Sequence, residues 1–217
     1  YFLNNWRTVP KSCSASPLPE RPSSPLDRFI LDCIRMWEVA NNQDSRNIES
    51  APSVQNMKDM LRKEGYIIYS GSHVYLRGKI YELLCLSDVD SGPRYDIREA
   101  VILLTENLQQ HAGCYGTLVA KLNEDKTKLF LAIIDLGSGF SNYDFGKALK
   151  IVCDLSEELA IYSRGYVWTK DNPLVVKCES IDKLRGSVVR VTINLLAKQS
   201  SSPFKSKASV SESNGYD

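Results

Sequence analysis

The spacing of apolar residues along the chain predicts five helices. The first two begin after the capping residues Asp27 and Ser53. The other three lie at about 79–86, 96–112 and 144–155. Residues 96–112 show the most regular pattern, because their apolar side chains fall on one stripe and Gly113 then ends the helix. That stripe consists of Ile97, Val101, Leu104 and Leu108.

Short runs of apolar and β-branched residues predict strands, most of them in the second half of the chain. They lie at 66–69, 73–76, 116–122, 128–134, 158–163, 165–169, 173–178 and 187–195. The first two flank Ser70-Gly71-Ser72, which resembles a hairpin turn. Because the strands gather late and the helices form a separate layer, we expect an α+β fold. This is a two-layer α/β sandwich with helices on one face of a mixed sheet.

Composition divides the chain into four segments. Residues 1–26 are an N-terminal segment with a linker rich in Pro and Ser, and residues 198–217 form a polar tail that is expected to be disordered. Residues 94–197 hold the main domain. Residues 27–93 are expected to form a helical and hairpin region that docks a partner or a second copy, because the first helix has an amphipathic face at Ile30, Ile34 and Trp37.

Charge and cysteine content narrow the classes of function. With 43% apolar and 24% charged residues, the chain is typical of a soluble globular protein. The net charge of +1 provides no overall attraction to nucleic acid or anionic membranes, and no apolar run is long enough to span a bilayer. The six cysteines contain no Cys-x-x-Cys pair and several lie within apolar patterns. This favours reduced thiols and a cytoplasmic location over a disulfide framework.

The main functional signal is Asp135-Leu-Gly-Ser-Gly139, which directly follows an apolar strand. Its glycines let the backbone turn sharply and approach a flat ligand, while the carboxylate can accept hydrogen bonds from an amino group. Strand ends of this kind are common by chance. The signal becomes more specific because Asn107 lies upstream on a predicted helix and Gly186-Ser187 opens a late strand.

This ordered set resembles the GHKL (Bergerat-fold) ATPase superfamily over about residues 94–195, and it is most similar to anti-sigma-factor kinases and histidine-kinase-like ATP-binding domains. The matching segments are Asn107-Leu-Gln-Gln-His111, Asp135-x-Gly137-x-Gly139, Gly146-Lys-Ala-Leu149 and Gly186-Ser187. The resemblance implies ATP and Mg²⁺ as ligands. It also implies that Asn107 coordinates Mg²⁺ and that Asp135 accepts from the adenine amino group. Around the nucleotide it further implies Gly137 and Gly139 beside the base and sugar, Gly146 near the phosphates, and Ser187 beside the adenine.

Three departures from the family pattern limit the expected chemistry. The hydrolysing members carry a glutamate as general base four residues before the asparagine, where this chain has Leu103, which cannot take a proton. Ala148 replaces a phosphate-binding glycine, and only residues 140–145 are left to form a lid. We therefore expect a regulatory ATP-binding domain rather than an ATP hydrolase.

Two functions remain open, and no catalytic residue is assigned. The domain would transfer phosphate to a Ser, Thr or His of a protein partner, or it would be a pseudo-ATPase interaction module without nucleotide turnover. An unrelated α+β fold with a chance Asp-x-Gly-x-Gly motif is a third alternative.

Overall fold

A computed structural model describes residues 18–43, 51–84, 91–111, 113, 115–140, 147–171 and 175–196. The helices in this part of the chain are α1 (Pro25–Asn41), α2 (Pro52–Lys63), α3 (His73–Gly78), α4 (Ile80–Leu84), α5 (Ser91–His111) and α6 (Lys147–Leu155), with a 3₁₀ turn at Glu179–Ile181. The strands are β1 (Ile67–Ser72), β2 (Tyr115–Leu122), β3 (Lys128–Asp135), β4 (Glu158–Ser163), β5 (Tyr166–Thr169), β6 (Val176–Lys177) and β7 (Ser187–Asn194). Gly146, the predicted tail and most of the predicted linker lie outside the described residues.

The strands form one seven-stranded sheet in the order β1-β2-β3-β7-β4-β5-β6. The α+β class is therefore confirmed. The sheet is not mixed, however, because every pairing between the described strands is antiparallel. Although α6 connects β3 to β4, β7 lies between these two strands and runs antiparallel to both. β3 and β4 therefore run in the same direction, but they are not neighbours in the sheet.

Helices cover both faces of this sheet, which corrects the expectation of helices on one face. On β3, Leu129, Leu131 and Ile133 belong to one buried cluster, which also contains residues of α3, α4, α5 and α6. The alternate residues Phe130 and Ala132 belong to a second cluster with α1 and α2. Because the central strands are apolar at consecutive positions, apolar side chains project from both of their faces. Both faces must therefore be covered to remove these side chains from water.

The apolar face of α1 packs on the sheet. Ser24 caps this helix by accepting from the Asp27 backbone N–H at 3.0 Å, so Asp27 lies in the first turn and is not the cap. Ile30, Ile34 and Trp37 are buried in the second cluster, and Trp37 is 0% exposed. Docking by residues 27–93 stays a prediction, but any docking surface must lie elsewhere than on this face.

The predicted hairpin at 66–76 is wrong in its second half. Ser72 accepts a hydrogen bond from the Tyr75 backbone N–H at 3.3 Å and begins α3, so residues 73–76 are helical. β1 pairs instead with β2, with Ile68 opposite Val119. A four-residue apolar run fits either a strand or a helical turn, and here the cap and the burial of Leu76 against α5 side chains favour the helix.

Among the described cysteines, Cys33, Cys153 and Cys178 are free thiols. Burial raises the pKa of the Cys33 thiol, so it stays protonated within the second cluster. No helix within the described residues is both long and apolar enough to cross a bilayer.

Candidate functional site

The ends of β3 and β4 and the start of β7 lie side by side at one end of the central strands. Three polar residues meet there. Asp135 closes β3 and lies opposite Ser187, the first residue of β7, while Ser163 closes β4 on the other side of Ser187. All three are buried. Side chains two residues apart on a strand share one face of the sheet. Asp135 is two residues after Ile133, which belongs to the buried cluster with α5 (the α5-side cluster), so the three polar residues lie on the face that α5 covers. We call Asp135, Ser187, Ser163 and the glycines beside them the corner.

Hydrogen bonds hold the Asp135 carboxylate in a defined orientation. The Ser187 hydroxyl donates to Oδ2, and the Gly137 backbone N–H donates to Oδ1 at 2.8 Å. The residue is only 6% exposed. A carboxylate oxygen accepts hydrogen bonds and donates none, so the chemistry of this group suits a donor such as the amino group of a base. The structure thus brings together Asp135, Gly137 and Ser187, which the sequence predicted as neighbours of the adenine.

The loop after β3 closes over the end of β4. The Phe140 backbone N–H donates to Ser163 Oγ at 3.0 Å, and Ser163 Oγ donates to the Gly186 carbonyl at 2.9 Å. Gly139 has a φ of +69°, and a Cβ at this position would lie 2.5 Å from Ser163 Oγ and 2.7 Å from the Gly186 carbonyl. Only glycine fits there without displacing the loop.

A tight turn between β4 and β5 holds the same loop from outside. Arg164 and Gly165 have φ values of +50° and +76°, as in a two-residue hairpin turn. The Arg164 Nε donates to the Ser138 carbonyl at 2.7 Å. Sequence reasoning missed both Ser163 and Arg164, because a serine ending a strand and an arginine before a glycine are common features that mark no ligand.

Helix α1 supports the corner from the opposite face of the sheet. The Arg185 backbone N–H donates to Asn41 Oδ1 at 2.8 Å. The Arg185 carbonyl accepts from Trp37 Nε1 at 2.8 Å and from Asn41 Nδ2 at 3.2 Å. Arg185 precedes Gly186 and Ser187, so α1 positions the start of β7. Nothing in the local sequence around Trp37 and Asn41 indicated this role, because their partner lies more than 140 residues away.

Asn107, the predicted Mg²⁺ ligand, lies half-buried on the last turns of α5. Its neighbour Leu108 is buried, and two Leu108 methyl carbons lie 2.8 Å from the point where a Cβ of Gly116 would stand. The Ile134 carbonyl is 3.1 Å from the same point. The end of α5 is therefore close to the ends of β2 and β3, on the face that carries Asp135.

Residue 103, the position at which the sequence resemblance would place a general base, is a leucine in this chain. Leu103 packs against the α5-side cluster. Glu106 lies next to Arg77 of α3, with Oε1 and Nη2 3.4 Å apart, and Arg77 Nε also donates to Thr105 Oγ1 at 3.0 Å. Glu106 is therefore engaged in a salt bridge with another helix.

The predicted phosphate segment is only partly described. Gly146 lies outside the described residues, and α6 begins at Lys147, which is exposed, followed by the half-buried Ala148. Leu149 and Val152 anchor this helix in the α5-side cluster. Among the residues that the structure describes, no three His, Cys, Asp or Glu side chains form a group that could hold a metal ion.

Comparisons with known proteins add little to this geometry. No protein-family model and no curated protein matches the chain. Among solved structures, the chain is similar to the histidine kinase AdeS of Acinetobacter baumannii, with 13% sequence identity, 79% of each chain covered and a TM-score of 0.34. A TM-score this low carries no conclusion about family or activity.

Proposed function

We propose that this chain is a regulatory ATP-binding domain of the GHKL type that acts on a protein partner. The observation that carries the proposal is the corner: a nearly buried carboxylate, oriented by the Ser187 hydroxyl and the Gly137 N–H, beside the glycines of the loop after β3. It lies on the same sheet face as α5, which carries Asn107. The order of these residues along the chain matches the superfamily that the sequence resembles.

The corner is proposed to select adenine over guanine. The resemblance implies that the carboxylate accepts from the 6-amino group of adenine, where guanine carries a carbonyl oxygen that cannot donate. Gly137 and Gly139 leave the loop backbone without side chains beside this acceptor. We therefore expect ATP to bind more tightly than GTP.

Asn107 would contribute an amide oxygen to Mg²⁺, with nucleotide phosphates and waters completing its coordination. Water activation is not expected, because Leu103 cannot take a proton and Glu106 is engaged by Arg77. If the bound ATP reacts, we expect its phosphate to be transferred to a Ser, Thr or His of the partner rather than to water. The alternative, an interaction module without nucleotide turnover, is favoured by Ala148 in the phosphate segment and by the short lid at 140–145.

Isothermal titration calorimetry with ATP and Mg²⁺ tests the proposal. Asp135→Asn keeps the shape of the side chain, since its amide can still accept from Gly137 and donate to Ser187, but it presents an amino group to adenine. We expect it to weaken ATP binding about tenfold or more, the value of one charge-assisted hydrogen bond. Asp59→Asn, the same change at an exposed site on α2, should leave binding unchanged.

The outcomes separate the alternatives. Binding by the parent chain, lost in Asp135→Asn and preserved in Asp59→Asn, supports the ATP-binding domain. Absence of heat and of thermal stabilisation in the parent chain at millimolar ATP refutes it and favours the interaction module. Equal affinity of the parent and Asp135→Asn would show that adenine is not read by this carboxylate.

A further inference from the structure

Three exposed cations lie on the two loops that pack against the corner from outside. Arg164 precedes Gly165 in the turn between β4 and β5, while Lys183 and Arg185 lie on the loop that leads into β7. We propose that these three residues, the cationic rim, dock an acidic segment of a protein partner. The rim lies outside the corner, so this docking does not depend on nucleotide binding there.

Backbone contacts show that the two loops lie side by side. A Cβ on Gly165 would stand 3.0 Å from Asp182 Cα, so the turn touches the start of the loop before β7. Arg164 Cγ and the Gly186 carbonyl lie 3.3 Å and 2.7 Å from the point where a Cβ of Gly139 would stand. The turn and the end of the loop before β7 therefore meet at the same glycine, and the three cations belong to one surface.

The charges of the rim are available to a ligand. All three side chains are exposed, and within the described part of the chain none of them forms an ion pair. Arg164 donates to the Ser138 carbonyl through Nε alone, which leaves both of its Nη groups without a partner among the described residues. The bonds of Arg185 to α1 involve only its backbone N–H and carbonyl.

The local excess of positive charge favours an acidic ligand. Residues 164–165 and 182–186 contain three cations and one acid, Asp182, so their net charge is +2, whereas the whole chain has a net charge of only +1. The neighbouring Lys177 and Glu179 are 3.9 Å apart and balance each other. Complementary charge directs encounter and register between proteins. A nucleic acid, whose binding grows with the number of phosphates contacted, suits such a small surface poorly.

The backbone of both loops is held in place before any ligand arrives. Arg164 has a φ of +50°, a costly conformation for residues other than glycine, and Asn is the usual residue at this place in such a turn. The Gly165 carbonyl accepts from the Cys178 N–H at 2.7 Å, and Asn41 holds the Arg185 N–H at 2.8 Å. Strained positions of this kind are typical of functional sites, and ordered loops lose little freedom on binding.

Apolar side chains lie beside the charges. Leu184 stands between Lys183 and Arg185 in the chain, and both Leu184 and Leu136 are half-buried and pack against the second cluster. Leu136 Cα is 2.7 Å from the point where a Cβ of Gly186 would stand, so it adjoins the same loop. A protein segment that carries leucines among its carboxylates can contact both kinds of group, whereas a small anion uses only the cations.

Titration of the isotope-labelled chain, followed by amide NMR without nucleotide, tests this docking. The probes are a short capped peptide of Glu and Leu, its Gln-Leu and Lys-Leu counterparts, a single-stranded DNA oligonucleotide and inorganic phosphate. We expect the Glu-Leu peptide to shift the amides of Gly165 and of residues 183–186, with an affinity that falls as salt is added. The Gln-Leu and Lys-Leu peptides should bind at least about tenfold more weakly.

Two triple variants with the same change in net charge separate the rim from the overall charge of the chain. The rim variant should keep its fold, because Asn suits the turn and the other two side chains are exposed. The rim variant combines Arg164→Asn, Lys183→Gln and Arg185→Gln. The control removes exposed cations of α2, α5 and α6, namely Lys63→Gln, Arg98→Gln and Lys150→Gln. We expect the rim variant to weaken the Glu-Leu peptide about tenfold and the control less than about twofold, because salt screens distant charges.

The possible results divide as follows. Shifts confined to the two loops, lost in the rim variant and kept in the control, support docking of an acidic segment. Absence of shifts with the Glu-Leu peptide, equal binding of the Gln-Leu peptide, or equal weakening by the two variants would overturn it. Shifts of the same amides by the oligonucleotide or by phosphate, as strong as those by the Glu-Leu peptide, would overturn a protein segment as the ligand.

Discussion

Gly186 is the position at which an added methyl group should destabilise the corner most. Its φ is +87°, and a Cβ built on its backbone would lie 2.0 Å from the Asp135 carbonyl oxygen and 2.6 Å from the carbonyl carbon. Both atoms belong to the backbone, so no side-chain rotation can relieve the contact. Gly186→Ala must therefore move the end of β3 away from the start of β7.

The expected loss has two parts. A non-glycine residue in the left-handed region costs about 1–2 kcal/mol. Separating the two strand ends breaks the hydrogen bond between Ser187 and Asp135, and leaves buried polar groups unpaired at about 1–3 kcal/mol. The sum is about 2–5 kcal/mol, a large fraction of the roughly 5–15 kcal/mol by which domains are stable.

Two other glycines serve as matched controls. Gly65 has a φ of +83° but nothing within 4 Å of its missing Cβ, so Gly65→Ala should cost only the conformational part. Gly78, at the end of α3, has free space and no positive φ, so Gly78→Ala should be neutral or stabilising by up to about 1 kcal/mol.

Urea unfolding followed by circular dichroism measures the free energy of unfolding of all three variants. Gly186→Ala should be the most destabilised, Gly65→Ala the next, and Gly78→Ala the least. If Gly186→Ala loses no more stability than Gly65→Ala, the Asp135 carbonyl is not held against Gly186, and the corner does not have the described geometry.

The contact of α1 with Arg185 and the ionisation of Tyr69 should both contribute measurably to stability. Asn41→Ala removes both side-chain hydrogen bonds to Arg185, and it should lower the free energy of unfolding in urea by about 1–2 kcal/mol. The control Asn42→Ala, at the exposed neighbouring residue, should change it by no more than about 0.5 kcal/mol. Equal effects of the two variants would show that α1 does not hold the residues before β7. Burial, followed by the hydrogen bond to Glu82, raises the pKa of Tyr69 to about 12. Since an unfolded tyrosine ionises near pH 10, the folded state binds more protons between these values, and stability should fall as the pH rises through this window. Tyr69→Phe should lose less stability than the parent chain between pH 9 and about 11.5, and parallel curves would refute the assignment.

Local patterns were sufficient for the long elements of the structure. The stripe of α5 and the apolar runs of β3 and β7 occur close to where they were predicted, because a helix or a strand with a continuous buried face must repeat apolar residues at its own period. That Asp135 and Ser187 lie near each other was expected only through the resemblance to a family, and their direct pairing was not predicted. Their own sequence contexts specify a strand end and a strand start, with nothing to say that the two meet.

Short elements and distant partners could not be read in the same way. Residues 73–76 fit both a strand and a helical turn, and the choice depends on the Ser72 cap and on the place of Leu76 in the core. The apolar face of α1 predicts a surface that must be buried, but not the surface that buries it. The sequence cannot show which faces of a sheet are already covered, so a docking surface was expected where α1 packs on the sheet.

Sequence patterns predict most helices and strands of the main domain, and they include the acceptor, the glycines and the amide from which an adenine site could be built. Only the folded chain shows that the sheet is antiparallel and covered on both faces, and that Ser163, Arg164 and the Trp37–Asn41 pair hold the corner. Periodicity and capping act over a few residues. By contrast, strand order and the contacts of loop backbone atoms depend on segments that approach each other only when the whole core is buried.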